Sequence, residues 1–272
     1  MNITLALKEF EFVPGDTVAV RIDVGTGGDK RLQAIRLELG YKNTYYHRTH
    51  DSDGDSQDTR TSDDVVVAMK EMPADHPLLS GGEATFETTL ELPADTPASV
   101  PNWVDWRVRA VLDRKLRRDH REELPITIYA PRNDAAGTES PGWVGDKCDM
   151  RLETAARVAH PGETLTGVLH VAPRDSFDVR RVRVDLECRM HHEDDIVREL
   201  GNDVELTLAE KVSFAPGVAQ EFPFSITVPA GAAPTLNASH SLVRWSLKGV
   251  CDRPMRGDYD VSAQLVVYNA PD

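Results

Sequence analysis

The sequence predicts an all-β protein made of two tandem antiparallel β-sandwiches. Short runs of residues alternate between apolar and polar side chains with period two, the pattern of a strand with one buried face. Turn signals such as "PGD", "GTGG", "SGGE", "PGE" and "APG" punctuate these runs, and helical signals are scarce. The order of runs and turns in the first half also returns in the second. Many short alternating strands without crossover helices read as sandwiches.

The elements follow in chain order. "TVAVRIDV" (17–24) sets Val18, Val20, Ile22 and Val24 against Thr17, Ala19, Arg21 and Asp23. "LQAIRLELGY" offers Ile35, Leu37 and Leu39 on one face. "DVVVAMKEM" admits a strand or a short helix, and its valines favour the strand. "ATFETTLEL" carries Phe86, Leu90 and Leu92 in register with Thr88. On "VDWRVRAVL", Val104, Trp106, Val108, Ala110 and Leu112 point one way while Asp105, Arg107 and Arg109 point the other. In the second half, "RRVRVDLECRM" sets Val182, Val184, Leu186 and Cys188 against Arg181, Arg183, Asp185 and Glu187. "DVELTLAEK" poses the same strand-or-helix choice, again favouring strand. Val243, Trp245, Leu247, Gly249 and Cys251 then repeat the inward register of the first copy.

The duplication runs the whole length. "FVPGDTVAVRIDV" matches "AHPGETLTGVLHV", "LQAIRLELGYKN" matches "VRRVRVDLECRM", and "GGEATFETTLELPADTP" matches "PGVAQEFPFSITVPAGAAP". Both halves close on a short apolar strand, "PITIYAP" and "LVVYNAP". Between them "RNDAAGTESPGWVGD" is rich in Gly, Pro and Asp, the composition of a linker. The expected division is residues 1–131, a linker at 132–147, and residues 148–272.

The most distinctive string is W-x6-D-R-x2-R-x-D, which occurs as "WRVRAVLDRKLRRD" and as "WSLKGVCDRPMRGD". Trp106, Asp113, Arg114, Arg117 and Asp119 correspond to Trp245, Asp252, Arg253, Arg256 and Asp258. On a strand the tryptophan faces the core. The Asp-Arg pair then falls where the strand ends and the chain turns. A structural corner is expected, with Asp113 and Asp252 bonding inside it and Arg117 and Arg256 pairing with Asp119 and Asp258. The string holds no nucleophile–base pair, as an active site would require.

These signatures together resemble the arrestin fold, an immunoglobulin-like sandwich repeated twice. Each copy opens with P-G-[DE]-T, carries "LP..TP" or "VP....P" before the tryptophan strand, and ends in the D-R-x2-R-x-D turn. The chain is most similar to bacterial arrestin-like proteins related to sporulation-control proteins, and more distantly to retromer arrestin-like subunits. The resemblance implies a cytoplasmic adaptor or scaffold without enzymatic activity. No clathrin box, no P-P-x-Y motif and no counterpart of the amphipathic helix of eukaryotic arrestins is present in the sequence.

Charge and composition bound the partners. A net charge of -14 excludes a general nucleic-acid binder and general adhesion to anionic membranes. Membrane association is expected only through a partner, since no stretch approaches the roughly 20 apolar residues of a span. Cys148, Cys188 and Cys251 form no disulfide framework and no metal spacing, and the start "MNITLALKEFEFVPGD" has no secretory pattern, so a cytoplasmic location is expected. No G-x-S-x-G, P-loop or dinucleotide fingerprint appears, so neither enzyme nor cofactor is expected.

Three further groups bear on function. The polar stretch 47–64 reads as a solvated loop. Its Asp51, Asp53 and Asp55 have calcium-loop spacing, but Gly54 is misplaced and Ser62 stands where the terminal Glu would be. "HHEDD" (191–195) follows a strand, with His47 and His50 in the corresponding region, and reads as a polar hairpin end rather than a zinc site. The cluster Arg107, Arg109, Arg114, Lys115, Arg117, Arg118 and Arg121 reverses the local charge. It is either paired with Asp105, Asp113, Asp119, Glu122 and Glu123 or a docking patch for an acidic partner, for which Arg107, Arg109, Lys115 and Arg118 are the candidates. The competing reading is a calcium- or carbohydrate-binding sandwich.

Overall fold

The computed structural model describes residues 2–25, 32–50, 53–73, 82–114, 118–133 and 141–271. Its first unit comprises β1 (Asn2–Leu7), β2 (Glu11–Phe12), β3 (Thr17–Gly25), β4 (Leu32–His50), β5 (Ser56–Pro73), β6 (Glu83–Glu91), β7 (Val104–Arg114), β8 (His120–Pro125) and β9 (Thr127–Ile128). One sheet has the order β1-β3-β6 and the other β5-β4-β7-β8, with a short parallel pair β2-β9 between the ends of the unit. The second unit repeats this plan. It comprises β10 (Gly142–Val144), β11 (Cys148–Thr154), β12 (Val158–Ala159), β13 (Thr164–Pro173), β14 (Phe177–His191), β15 (Val197–Glu199), β16 (Val204–Phe214), β17 (Gln220–Thr227), β18 (Leu236–Asn237), β19 (Leu242–Asp252) and β20 (Tyr259–Val267). Its sheets are β10-β11-β13-β17 and β12-β20-β19-β14-β15, with β16 also on β14 and β18 on β19.

The alternation in sequence is the cause of this packing. Val18, Val20, Ile22 and Val24 of β3 and Ile35, Leu37 and Leu39 of β4 are buried against Phe86, Leu90, Val104, Trp106, Val108, Ala110 and Leu112. Val182, Val184, Leu186, Cys188, Val243, Trp245, Leu247 and Cys251 do the same in the second unit. Both ambiguous segments, in β5 and β16, are strands. Each tryptophan satisfies its indole N–H on the carbonyl before the strand, Trp106 on Pro97 at 3.0 Å and Trp245 on Ala233 at 2.8 Å.

The P-G-[DE]-T turns are likewise equivalent. Gly15 (φ +93°) and Gly162 (φ +87°) supply the left-handed residue that a type II turn needs after proline. The acidic side chain closes each turn, Asp16 accepting from the Val13 N–H at 2.7 Å and Glu163 from the His160 N–H at 2.9 Å.

Two expectations are corrected. The stretch 47–64 is mostly a β-hairpin arm, because β4 and β5 stay paired from Tyr41↔Val65 to His50↔Ser56. Both faces of this arm are polar, so the sequence carried no alternation to reveal it. Asp51 lies outside the described residues. The linker, in turn, contains β10, whose Trp143 packs on Tyr259 at 5.0 Å between ring centres and whose backbone pairs with Asp149–Arg151 of β11.

Candidate functional site

The repeated string forms a corner in both units, built differently from the expectation. The second residue of its Asp-Arg pair is the organiser. The Arg114 N–H donates to Asp119 at 3.1 Å, and the Arg114 guanidinium donates to the Arg118 carbonyl, with Nε at 3.1 Å. In the second copy the Arg253 N–H donates to Asp258 at 3.1 Å and its Nε to the Gly257 carbonyl at 2.7 Å. Arg253 also lies over the Tyr259 ring at 3.5 Å. Lys115 and Arg117 lie outside the described residues, and Arg256 is exposed rather than bridging to Asp258.

Asp113 and Asp252 bond outside the corner, to β4 and β14. Asp252 is buried and accepts from Arg180 (Nε, 3.0 Å) and Arg181 (3.4 Å), with Arg183 at 3.5 Å. Burial pushes its pKa up, but the Arg180 and Arg181 guanidiniums outweigh burial and hold it below the ordinary value. Among the described residues Asp113 has only Arg36, at 3.9 Å. The difference is written in the matched segments: Arg180, Arg181 and Arg183 correspond to Gln33, Ala34 and Arg36.

The basic face of β7 is neutralised. Arg109 Nε donates to the buried Glu38 at 2.8 Å and Nη1 to Asp64 at 3.1 Å, while Arg107 pairs with Asp64 and with Glu123 at 3.6 Å. Their side chains are 13% and 19% exposed, too covered and too well paired to dock an acidic partner. Glu38 and Glu123 sit on β4 and β8, which flank β7, and Asp64 sits on β5 beyond β4; of these only Glu123 lies close enough in sequence to have been expected. Arg118 alone of the described candidates is exposed.

The polar hairpin and "HHEDD" meet across the two units. Asn43, wholly buried, donates to Ser241 Oγ at 2.9 Å and accepts from the His240 N–H at 2.8 Å. Tyr41 Oη lies 2.9 Å from Ser239 Oγ, and the Tyr45 ring stacks on His240 at 4.3 Å. His240 Nδ1 is 2.7 Å from Glu193 and its Nε2 3.4 Å from Asp63. The Arg48 N–H donates to Asp194 at 2.7 Å, and Arg198 pairs with Asp58 at 2.7 Å while lying over Tyr46. His192 is buried between Tyr46 and Trp103, and neither ring nitrogen has a hydrogen-bond partner. Burial, then Arg198 and His191, push its pKa down to about 4. Sequence reasoning missed Asn43, His240 and Ser241. The available signal was "GYKNTYYH", which holds three of the six tyrosines at the end of a strand.

The outer edges of the two smaller sheets differ. In the second unit β10 covers the outer edge of β11. In the first, among the described residues, β1 pairs only with β3, so the stretch Asn2–Thr4, equivalent to Asp149–Arg151, has an open edge. A groove of about 380 Å³ lined by Asn2, Thr4, Asp23 and Thr85 borders it, and one of about 570 Å³ continues along Ala6, Lys8, Ala19 and Arg21.

The arrangement offers little to nucleophilic chemistry. Burial raises the Cys148 thiol to about 11 and those of Cys188 and Cys251 to about 12, so none is a thiolate at neutral pH. Among the described residues no group of three or more His, Cys, Asp or Glu is placed to hold a metal ion, and no helix is long and apolar enough to cross a membrane.

A family model described as the C-terminal domain of arrestin (or S-antigen) matches residues 1–133, and one described as SpoOM protein matches residues 139–248. No curated protein matches the chain significantly. An arrestin C-terminal domain model thus falls on the first unit and a sporulation-control model on the second, the two copies of one sandwich. The fold and both matches agree with the arrestin-like, sporulation-control-protein-like family that the sequence resembles.

Proposed function

We propose that this protein is a non-enzymatic cytoplasmic adaptor that binds an extended segment of a partner protein along the open edge of β1, acting as a regulatory scaffold in a bacterium. The observation that carries the reading is the asymmetry between the copies. β10 shows what an edge of this sheet accepts: three residues in antiparallel register. The same edge on β1 has no described strand on it and runs beside a groove. An exposed edge presents unpaired backbone groups, which bind a strand irrespective of most of its sequence, while the groove reads its side chains. Residues 1–131 and 148–272 act as the two units of this scaffold, and Arg118 remains the exposed cation for an acidic partner.

The test is to capture partners from the native cell by crosslinking and then map the purified complex by hydrogen exchange. Protection of the amides of Asn2–Leu7 on partner binding is expected. Protection confined to other strands would refute the edge reading.

A further inference from the structure

A third groove, on the outer face of the larger sheet of the second unit, holds two arginines that the ion-pair network of the described residues leaves out. β20 forms its floor. The Val266 N–H donates to the Arg157 carbonyl at 2.8 Å, which places Arg157 on one side of Val266. On the other side the β19–β20 register, Trp245↔Leu265, puts Arg244 beside Val266. With strands about 4.8 Å apart the two Cα atoms lie roughly 10 Å from each other, within the joint reach of two guanidiniums. Thr235, Leu242 and Gln264 complete a cavity of about 460 Å³.

These two side chains are unlike their neighbours. Arg180, Arg181 and Arg183 converge on Asp252, and Arg189, directly across from Arg244, is held by Asp203 at 2.7 Å. Among the described residues neither the Arg157 nor the Arg244 side chain has a hydrogen-bond or ion-pair partner. The charge of Arg244 is felt nearby: after burial, it is the second cause holding the His191 imidazole below its ordinary value. In a chain of net charge -14, two guanidiniums on one cavity with no counter-charge among the described residues make a local well for an anion.

We propose that the Arg157–Arg244 groove is a binding site for an oxyanion carried on a short apolar stem. The planar forks of two arginines match the oxygens of a carboxylate or phosphoryl group. Gln264 and Thr235 add polar side chains at the rim, while Leu242 and Val266 give the stem an apolar wall. The site is separate from the β1 edge and does not rest on the adaptor reading.

The experiment titrates the whole chain, isotopically labelled for NMR, with hexanoate and with inorganic phosphate. Saturable shifts confined to residues near 157, 242–246 and 262–266 are expected, with hexanoate the tighter of the two. Arg157→Gln or Arg244→Gln should each weaken binding by about 10-fold or more, the loss of one charge-assisted contact. Arg244→Lys should keep part of the affinity, and Arg256→Gln, at an exposed position of the corner, should keep all of it. Both glutamine variants should melt like the wild type, which separates lost binding from lost folding. Phosphate binding as tightly as hexanoate would overturn the apolar-stem assignment. No saturable shift with either probe, or shifts that persist in both glutamine variants, would overturn the site.

Discussion

Replacing Asp252 by alanine removes the acceptor for Arg180 and Arg181 and a second anion beside Arg183, and among the described residues the same change at Asp113 removes only a 3.9 Å pairing with Arg36. The two positions are equivalent in sequence, so the comparison isolates environment. The Asp252 side chain is 7% exposed and that of Asp113 is 36%. Removing one partner of a fully buried pair costs about 3–5 kcal/mol. Here the arginines reach solvent, and Arg181 and Arg183 keep Glu205 and Asp185, which brings the expected cost to about 2–3 kcal/mol. A long, half-exposed pair such as Asp113–Arg36 contributes about 0–1 kcal/mol. Urea unfolding at neutral pH, followed by tryptophan fluorescence, should therefore shift the midpoint clearly for Asp252→Ala and barely for Asp113→Ala. The gap has a pH signature. Because the folded pKa of Asp252 lies below its ordinary value, its contribution is complete above about pH 4. It is lost as the pH falls through the lower folded value, so the variant and wild-type curves converge in acid. Equal losses at the two positions, or no loss at Asp252, would refute the assignment of the arginine cluster as the difference between the copies.

Other outcomes follow from the same geometry. Trp106→Ala and Trp245→Ala should each cost about 3–5 kcal/mol in denaturant unfolding, since both rings are buried and both indole N–H groups are satisfied. Arg109→Ala should cost about 2–4 kcal/mol by leaving Glu38 buried with only Arg36 at 3.7 Å, whereas Arg118→Glu should leave the melting temperature unchanged. Contact between the units should weaken as the pH falls from about 6.5 toward about 4, because an exposed His192 takes up a proton that the buried one refuses. Small-angle scattering should report the opening, and His192→Phe should abolish it. Asn43→Leu should cost about 2–3 kcal/mol, read by thermal unfolding, by leaving the His240 N–H and Ser241 without their partner.

Much of this fold is legible before any coordinates. The inward registers of β3, β4, β7, β14 and β19 follow from alternation alone, because each strand has one buried face and a residue's side is fixed by parity. The turns at Gly15 and Gly162 follow from their Pro-Gly-acid spelling. What the sequence hid is long-range. Glu38 and Arg109 are 71 residues apart and meet only because β4 and β7 are neighbours in the sheet. The β4–β5 arm is polar on both faces, and β10 is three residues in a stretch with the composition of a linker, so neither could announce itself by period. Pairing is one of the two readings of the candidate docking arginines, and Glu123 is among the acids expected; Glu38 and Asp64 are not, since outward on a strand says nothing about which other strands supply the charges. The contact between the units left only its tyrosines as a trace.

The length of β4 carries one more consequence. Its first part, Leu32–Asn43, is woven between β5 and β7, whereas Thr44–His50 continues past β7 with β5 as its only strand partner among the described residues. Tyr45, Tyr46 and Arg48, which reach the second unit, all ride on this overhang. Adjacent residues on a strand face opposite ways, so losing or gaining one residue between Asn43 and Tyr45 would exchange the two tyrosines and turn every later contact to the wrong side. A duplication at the tip, around Gly54, would leave that parity intact. The arm therefore works as a gauge block: it sets the mutual angle of the two sandwiches by counting residues. Natural length variation should accumulate at its tip and be purged from its shaft.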